Sequence, residues 1–122
     1  MAHAVFDDNT PLVQISIGWE YAIQSQFFIL DTGFTGDIQL TPKMAQELGL
    51  EVISVAPMEI ANGEVADMPV ALGVALIDGQ QKAMEVLISK GAPLAGIGFL
   101  SKFNYKVTLD CRRKTIKLEK VL

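Results

Sequence analysis

Cysteine and histidine are almost missing from this chain of 122 residues: Cys111 and His3 are the only examples. A lone thiol closes no internal disulfide, and one cysteine with one histidine falls short of a zinc site. A cysteine nucleophile would have to take its base from His3, far away in sequence, so thiol catalysis is set aside. Long apolar stretches are also lacking. The longest, Met68 to Ile77, is about half the ~20 residues that cross a bilayer. The first residues have neither the basic start nor the apolar core of a signal peptide, and Asp7 and Asp8 stand where that core would lie. The expectation is a cytoplasmic chain with no membrane partner, which a single cysteine also suits.

Positive charge is scarce before Lys90, where twelve acids face two bases, Lys43 and Lys82; from Lys90 onward eight bases face two acids, for a net charge of -4. The late basic residues are not interleaved with aromatics. They read as solvated strand faces that partly neutralise the acidic part, and no nucleic-acid partner is expected. The segment Gly91 to Gly98 is glycine-rich, but Phe99 and Leu100 stand where a phosphate loop needs lysine and a hydroxyl residue. No nucleotide, metal or other cofactor is implied.

What is present is apolar and strand-forming. Half of the residues are hydrophobic and 20% are charged, the balance of an ordered chain. At this length the expectation is one domain, residues 1–122, burying roughly two thirds of its unfolded surface. Pro11 to Gly18 alternates, with Val13, Ile15 and Ile17 on one face. Tyr21 to Leu30 alternates and then turns continuously apolar, as a strand entering the core does. Asp37 to Leu40 is a short strand. Thr41-Pro42 opens a helix that Gly49 closes. Asn62-Gly63 and Asp78-Gly79 are hairpin signals between apolar runs. Phe99 to Tyr105 has room for one or two helical turns, and the turn Cys111 to Lys114 closes a last hairpin. Trp19 and Tyr21 are expected to pack over a barrel end, and His3 to lie on a frayed terminus. The sum is an all-β fold, a small closed or partly closed barrel with one or two short helices.

Asp31 is out of place in this pattern: a carboxylate directly after Phe28-Ile29-Leu30. Thr32 brings a hydroxyl that can bond a neighbouring backbone, Gly33 removes a side chain where another backbone comes close, and Gly36 adds a further point of freedom. Asp-Thr-Gly alone is a weak signal, since it also occurs in plain turns.

The longer run Phe28-Ile29-Leu30-Asp31-Thr32-Gly33-Phe34-Thr35-Gly36 resembles the catalytic loop of retroviral-type (retropepsin-like) aspartic proteases, in particular their small bacterial branch. Leu94-Ala95-Gly96-Ile97-Gly98-Phe99-Leu100 resembles the family's apolar-apolar-glycine segment with its short helix. Asn62-Gly63 falls where the family carries the tip of its flap hairpin. The resemblance covers most of the chain in the right order and implies a barrel of the acid-protease type. It also implies that Asp31 is catalytic and that Thr32, Gly33, Thr35 and Gly36 support its loop. Ala61, Asn62 and Gly63 would belong to a flap over the substrate, and Leu94, Ala95, Gly96 and Ile97 would pack behind the loop. Three departures stand out. Phe34 is bulkier than the alanine or serine of the retroviral branch, Gly98 replaces a common acidic or amide residue, and the flap tip has a single glycine.

Peptide hydrolysis by this route needs two carboxylates, and the chain supplies one motif. Asp78-Gly79 lacks both the threonine and the trailing glycine, and Asp110-Cys111 is no nearer. The resemblance therefore implies a homodimer with Asp31 and its symmetry mate side by side, Thr32 bonded across the interface and terminal strands contributing to it. The substrate would be an extended peptide or protein segment. Two other readings stay open: a catalytically silent peptide-binding or dimerisation module of the same fold, and an unrelated small β-barrel holding the tripeptide by chance.

Overall fold

The computed structural model describes residues 3–59 and 62–122. Among these, ten strands and two short helices follow in order: β1 (Ala4–Asp7), β2 (Thr10–Trp19), β3 (Ala22–Leu30), β4 (Ile38–Leu40), α1 (Pro42–Leu48), β5 (Val52–Glu59), β6 (Val65–Ile77), β7 (Gln80–Ile88), β8 (Leu94–Ala95), α2 (Ile97–Lys102), β9 (Tyr105–Asp110) and β10 (Thr115–Lys120). Eight strands form one sheet in the order β1-β2-β3-β8-β4-β7-β6-β5, and β9 pairs with β10 apart from it. A further antiparallel pairing, Ser16 to Gly18 of β2 against Val74 to Leu76 of β6, turns the sheet back on itself. The architecture is the expected all-β, partly closed ring with two short helices. No described helix is long and apolar enough to cross a membrane.

Alternation places the core. Val13, Ile15 and Ile17 of β2 and Phe28 and Leu30 of β3 are buried, whereas Gln14 is exposed and Ser16 and Ser25 share a hydrogen bond across the outer face. These side chains meet Ile38, Leu40, Met44, Leu48, Phe99 and Phe103 in one cluster. Helix α1 is set by its ends. Thr41 Oγ1 accepts from the Met44 N–H at 3.2 Å, Pro42 occupies the first turn, and Gly49 takes a left-handed φ of 71°.

The turns divide into those the sequence specifies and those it does not. Asp78-Gly79 is a two-residue hairpin with both φ positive, 53° and 71°, as its dipeptide demands. At Asn62-Gly63 only Gly63 has positive φ, and Glu59 pairs with Val65, so the pairing stops short of a two-residue turn. The Asn62 side chain accepts from the Glu64 N–H at 3.0 Å there, a local turn that competes with the tight one. The amino-terminal segment is a strand rather than a frayed end. Asp8 turns β1 onto β2 at φ 53°, and His3 holds Gln14 through its backbone carbonyl. Tyr21 does not pack over the barrel; it is fully exposed. Helix α2 sits earlier than Phe99 to Tyr105, because Asn104 at φ 55° ends it and Tyr105 already begins β9.

Charge from the late basic residues does reach the earlier acids: Lys102 pairs with Asp37, and Lys114 with Asp8 at 3.8 Å. Tyr105 donates its hydroxyl to Asp78 at 2.9 Å, tying β9 to the β6–β7 turn. Burial, and then the Asp78 carboxylate, hold the Tyr105 phenol above its ordinary value of 10.0. The folded state thus keeps the proton more firmly than the unfolded chain does. This contribution is complete below about pH 10 and is lost as pH rises further. Tyr105→Phe is expected to cost about 1 kcal/mol in urea unfolding at neutral pH and to flatten the alkaline fall in stability.

Candidate active site

The loop that follows β3 is held from behind by four backbone hydrogen bonds. The Asp31 N–H donates to Ala95 O at 3.0 Å, Gly96 to Asp37 O at 2.9 Å, Ile97 to Phe34 O at 2.9 Å and Gly98 to Gly36 O at 3.0 Å. Two-residue β8 is wedged between β3 and β4, parallel to one and antiparallel to the other, which aligns these groups. Residues 31–37 are therefore fixed along their length by residues 95–98. Leu94, Ala95 and Gly96 lie behind the loop. Ile97 is placed differently: its N–H faces the loop, but its side chain is 40% exposed.

Asp31 is not driven into the core by the apolar strand before it. It lies half-buried at the surface, and its Oδ1 accepts from the Gly33 N–H at 2.9 Å. That turn presents the carboxylate while satisfying one of its oxygens. Thr32, Gly33 and Thr35 are exposed, and Gly36 is half-buried. The Thr32 hydroxyl makes no hydrogen bond among the described residues. It borders an apolar groove with Ile97, Leu100, Val107, Val121 and Leu122.

Asn62 and Gly63 are exposed at the end of the β5–β6 hairpin; Ala61 lies outside the described residues. Below that tip the hairpin and the loop share a cavity. Phe34 to Ile38 form one wall, Ala56 and Met58 of β5 another, and Val70, Glu85 and Leu87 close it. Among the described residues no three His, Cys, Asp or Glu side chains come together as a metal would need.

Two structural features of the loop were not legible in the sequence: the partners of Asp37 and the burial of the Phe34 ring. Asp37 is a buried carboxylate, 7% exposed, that accepts from the Glu85 N–H at 3.0 Å and pairs with Lys102. Its Oδ1 lies where a side chain on Gly98 would begin, only 2.2 Å from an added Cβ. The acid that the sequence omits at position 98 thus arrives from the residue just before β4, and Gly98 is the space it needs. The available signal was an aspartate opening a strand of buried residues, Ile38 and Leu40. Removing Lys102 leaves a buried carboxylate with one partner fewer. Because Lys102 is 44% exposed, solvent offsets part of that loss. Lys102→Met is expected to cost about 1–2 kcal/mol in urea unfolding. The second feature is the Phe34 ring, buried in a small cluster with Val70 and Leu87.

The overall structure is similar to that of EIAV protease complexed with the inhibitor HBY-793, with a TM-score of 0.69 and 15% identity over 84% of this chain and 96% of that one. It is also similar to a retropepsin-like aspartic protease from Rickettsia conorii, with a TM-score of 0.60 and 20% identity over 98% of this chain and 90% of that one. No protein-family model and no curated protein matches the sequence.

Proposed function

We propose that this chain, which has the fold of retropepsin-like aspartic proteases, is one half of a homodimeric aspartic endopeptidase. The observation that carries the reading is a surface Asp-Thr-Gly loop, fixed by residues 95–98, beside an uncovered apolar groove. One carboxylate cannot both take a proton from water and give one to the scissile carbonyl. Two can. Aspartates about 3 Å apart do not both ionise, so the pair shares a proton and acts as acid and base together. The ionised Asp31 would accept a proton from the attacking water while its protonated mate donates to the carbonyl oxygen. No cofactor takes part. Thr32, whose hydroxyl has no hydrogen-bond partner among the described residues, suits a bond across the twofold axis. Asn62 and Gly63 suit a cover that closes over an extended peptide.

The groove beside Thr32 is the face that pairing would bury. Ile97→Glu places a carboxylate there in both copies at about 2 kcal/mol each, so dimer affinity should fall about a thousandfold. Sedimentation of the native chain should show dimers whose specific activity on a peptide library rises with concentration. The variant should sediment as a folded single chain without cleavage. A native chain that stays single, or a single-chain variant that cleaves as well, would sink the proposal. A native dimer that cleaves nothing would leave the silent peptide-binding module of the same fold.

A further inference from the structure

The loop that follows Asp31 and the β5–β6 hairpin share a cavity. Its size is set mainly by Phe34. That residue follows Asp31 by three positions, and its N–H donates to Asp31 O at 3.2 Å. The ring lies in the space left by two missing side chains. A Cβ on Gly36 would come within 2.6 Å of Phe34 Cζ, and a Cβ on Gly96 within 2.7 Å of Phe34 Cδ2. Wedged against both glycines and 8% exposed, the ring is a fixed wall rather than a movable lid.

The space left over is about 110 Å³, bounded on its other sides by Ala56, Met58, Val70 and Leu87. An apolar cavity of about 150 Å³ accommodates benzene. The smaller space suits a branched aliphatic side chain better than a phenyl or indole ring. Asp37 and Glu85 bring the carboxylates of the lining; the Asp37 charge is met from behind by Lys102, and among the described residues no lysine or arginine lines the cavity. An acidic side chain entering it would lose water and gain no partner.

Resting on the reading of the chain as a peptide-handling dimer, we propose that Phe34 sets the substrate class. It selects peptides with a valine- or leucine-sized aliphatic side chain at the position that enters this cavity, and it turns away aromatic and acidic residues. Phe34 is a specificity-determining residue that takes no part in the proton transfers.

The test separates binding from turnover. Labelled hexapeptides, with each position varied in turn over Ala, Val, Leu, Phe and Asp, are titrated into Asp31→Asn protein by fluorescence anisotropy. The same peptides are offered to the native chain as substrates. At one position Val or Leu should bind at least about tenfold more tightly than Phe or Asp. Adding Phe34→Ala should bring Phe level with Leu or above it, and Phe34→Leu carries the same comparison if the alanine variant does not fold. Ala56→Leu, on the opposite wall, should shift the preference toward Ala. A preference that ignores both walls, or none at all, overturns the inference, while cleavage by the native chain would keep the protease reading. Peptides that bind with the wall-dependent preference but are never cut support the inference and end the protease reading. Binding of no peptide overturns both.

Discussion

Asp31→Asn should leave the chain folded and dimeric and reduce peptide cleavage by at least about a thousandfold. The substitution is nearly isosteric. The amide oxygen can still accept from the Gly33 N–H, the one hydrogen bond that the carboxylate makes among the described residues. The four backbone ties behind the loop do not involve the side chain at all. Stability should change by less than about 0.5 kcal/mol, as expected for a surface substitution. What disappears is the proton shared by the pair. An asparagine neither accepts a proton from water at neutral pH nor gives one to a carbonyl, so its dimer lacks both acid and base. Mixing sharpens the result. If each site is built from two chains, equal amounts of native and variant protein that exchange freely form mixed dimers, and activity per native chain falls to about half. A site complete within one chain would show no such fall. Cleavage that survives the substitution, or activity per native chain that ignores the variant, would remove Asp31 or the dimer from the mechanism.

Much of the local structure around the candidate site is legible in the sequence, and what is hidden has a common cause. Asp31 announces itself by following Phe28, Ile29 and Leu30, because a charge at the end of an apolar strand contradicts the local pattern. Thr41, Pro42 and Gly49 bracket their helix because capping is short-range chemistry. Asp78-Gly79 fixes its own turn. Contacts decided by residues distant in sequence were hidden. Asp37 reads as a polar strand end until Lys102 and the Glu85 N–H are brought to it, 65 and 48 positions away. The pairing that stops short of a two-residue turn at Asn62-Gly63 follows from strand register rather than from the dipeptide, and β1 is a strand because β2 is there to pair with it. Ile97 reads as part of an apolar segment behind the loop, yet the first turn of α2 swings its side chain out beside Thr32.

The glycines show the same division and yield the second large effect. Sequence alone gives the close backbone approach to Gly33, the glycine of the motif. Among the described residues, a Cβ on Gly33 meets only Asp31 Oδ1, at 3.2 Å. The close approach falls on Gly96, where a Cβ would stand 2.3 Å from Gly36 O and 2.5 Å from Phe34 O. Neither oxygen can swing aside, since both are main-chain carbonyls bonded to the Gly98 and Ile97 N–H groups. Gly96→Ala must therefore push the Asp31 loop off α2 and break the bonds that fix it. The expected cost is about 3 kcal/mol or more, the upper range for overpacking, with a fall in Tm of about 10 °C. Gly33→Ala should melt within about 2 °C of the native chain. If two such loops meet across a twofold axis, it should nonetheless lose dimer and activity together. Calorimetry and sedimentation on the two variants distinguish a glycine needed by the fold from one needed by the partner. A Gly96→Ala protein that melts like the native chain would mean that the loop is not held by residues 95–98, and the placement of Asp31 would have to be explained in another way.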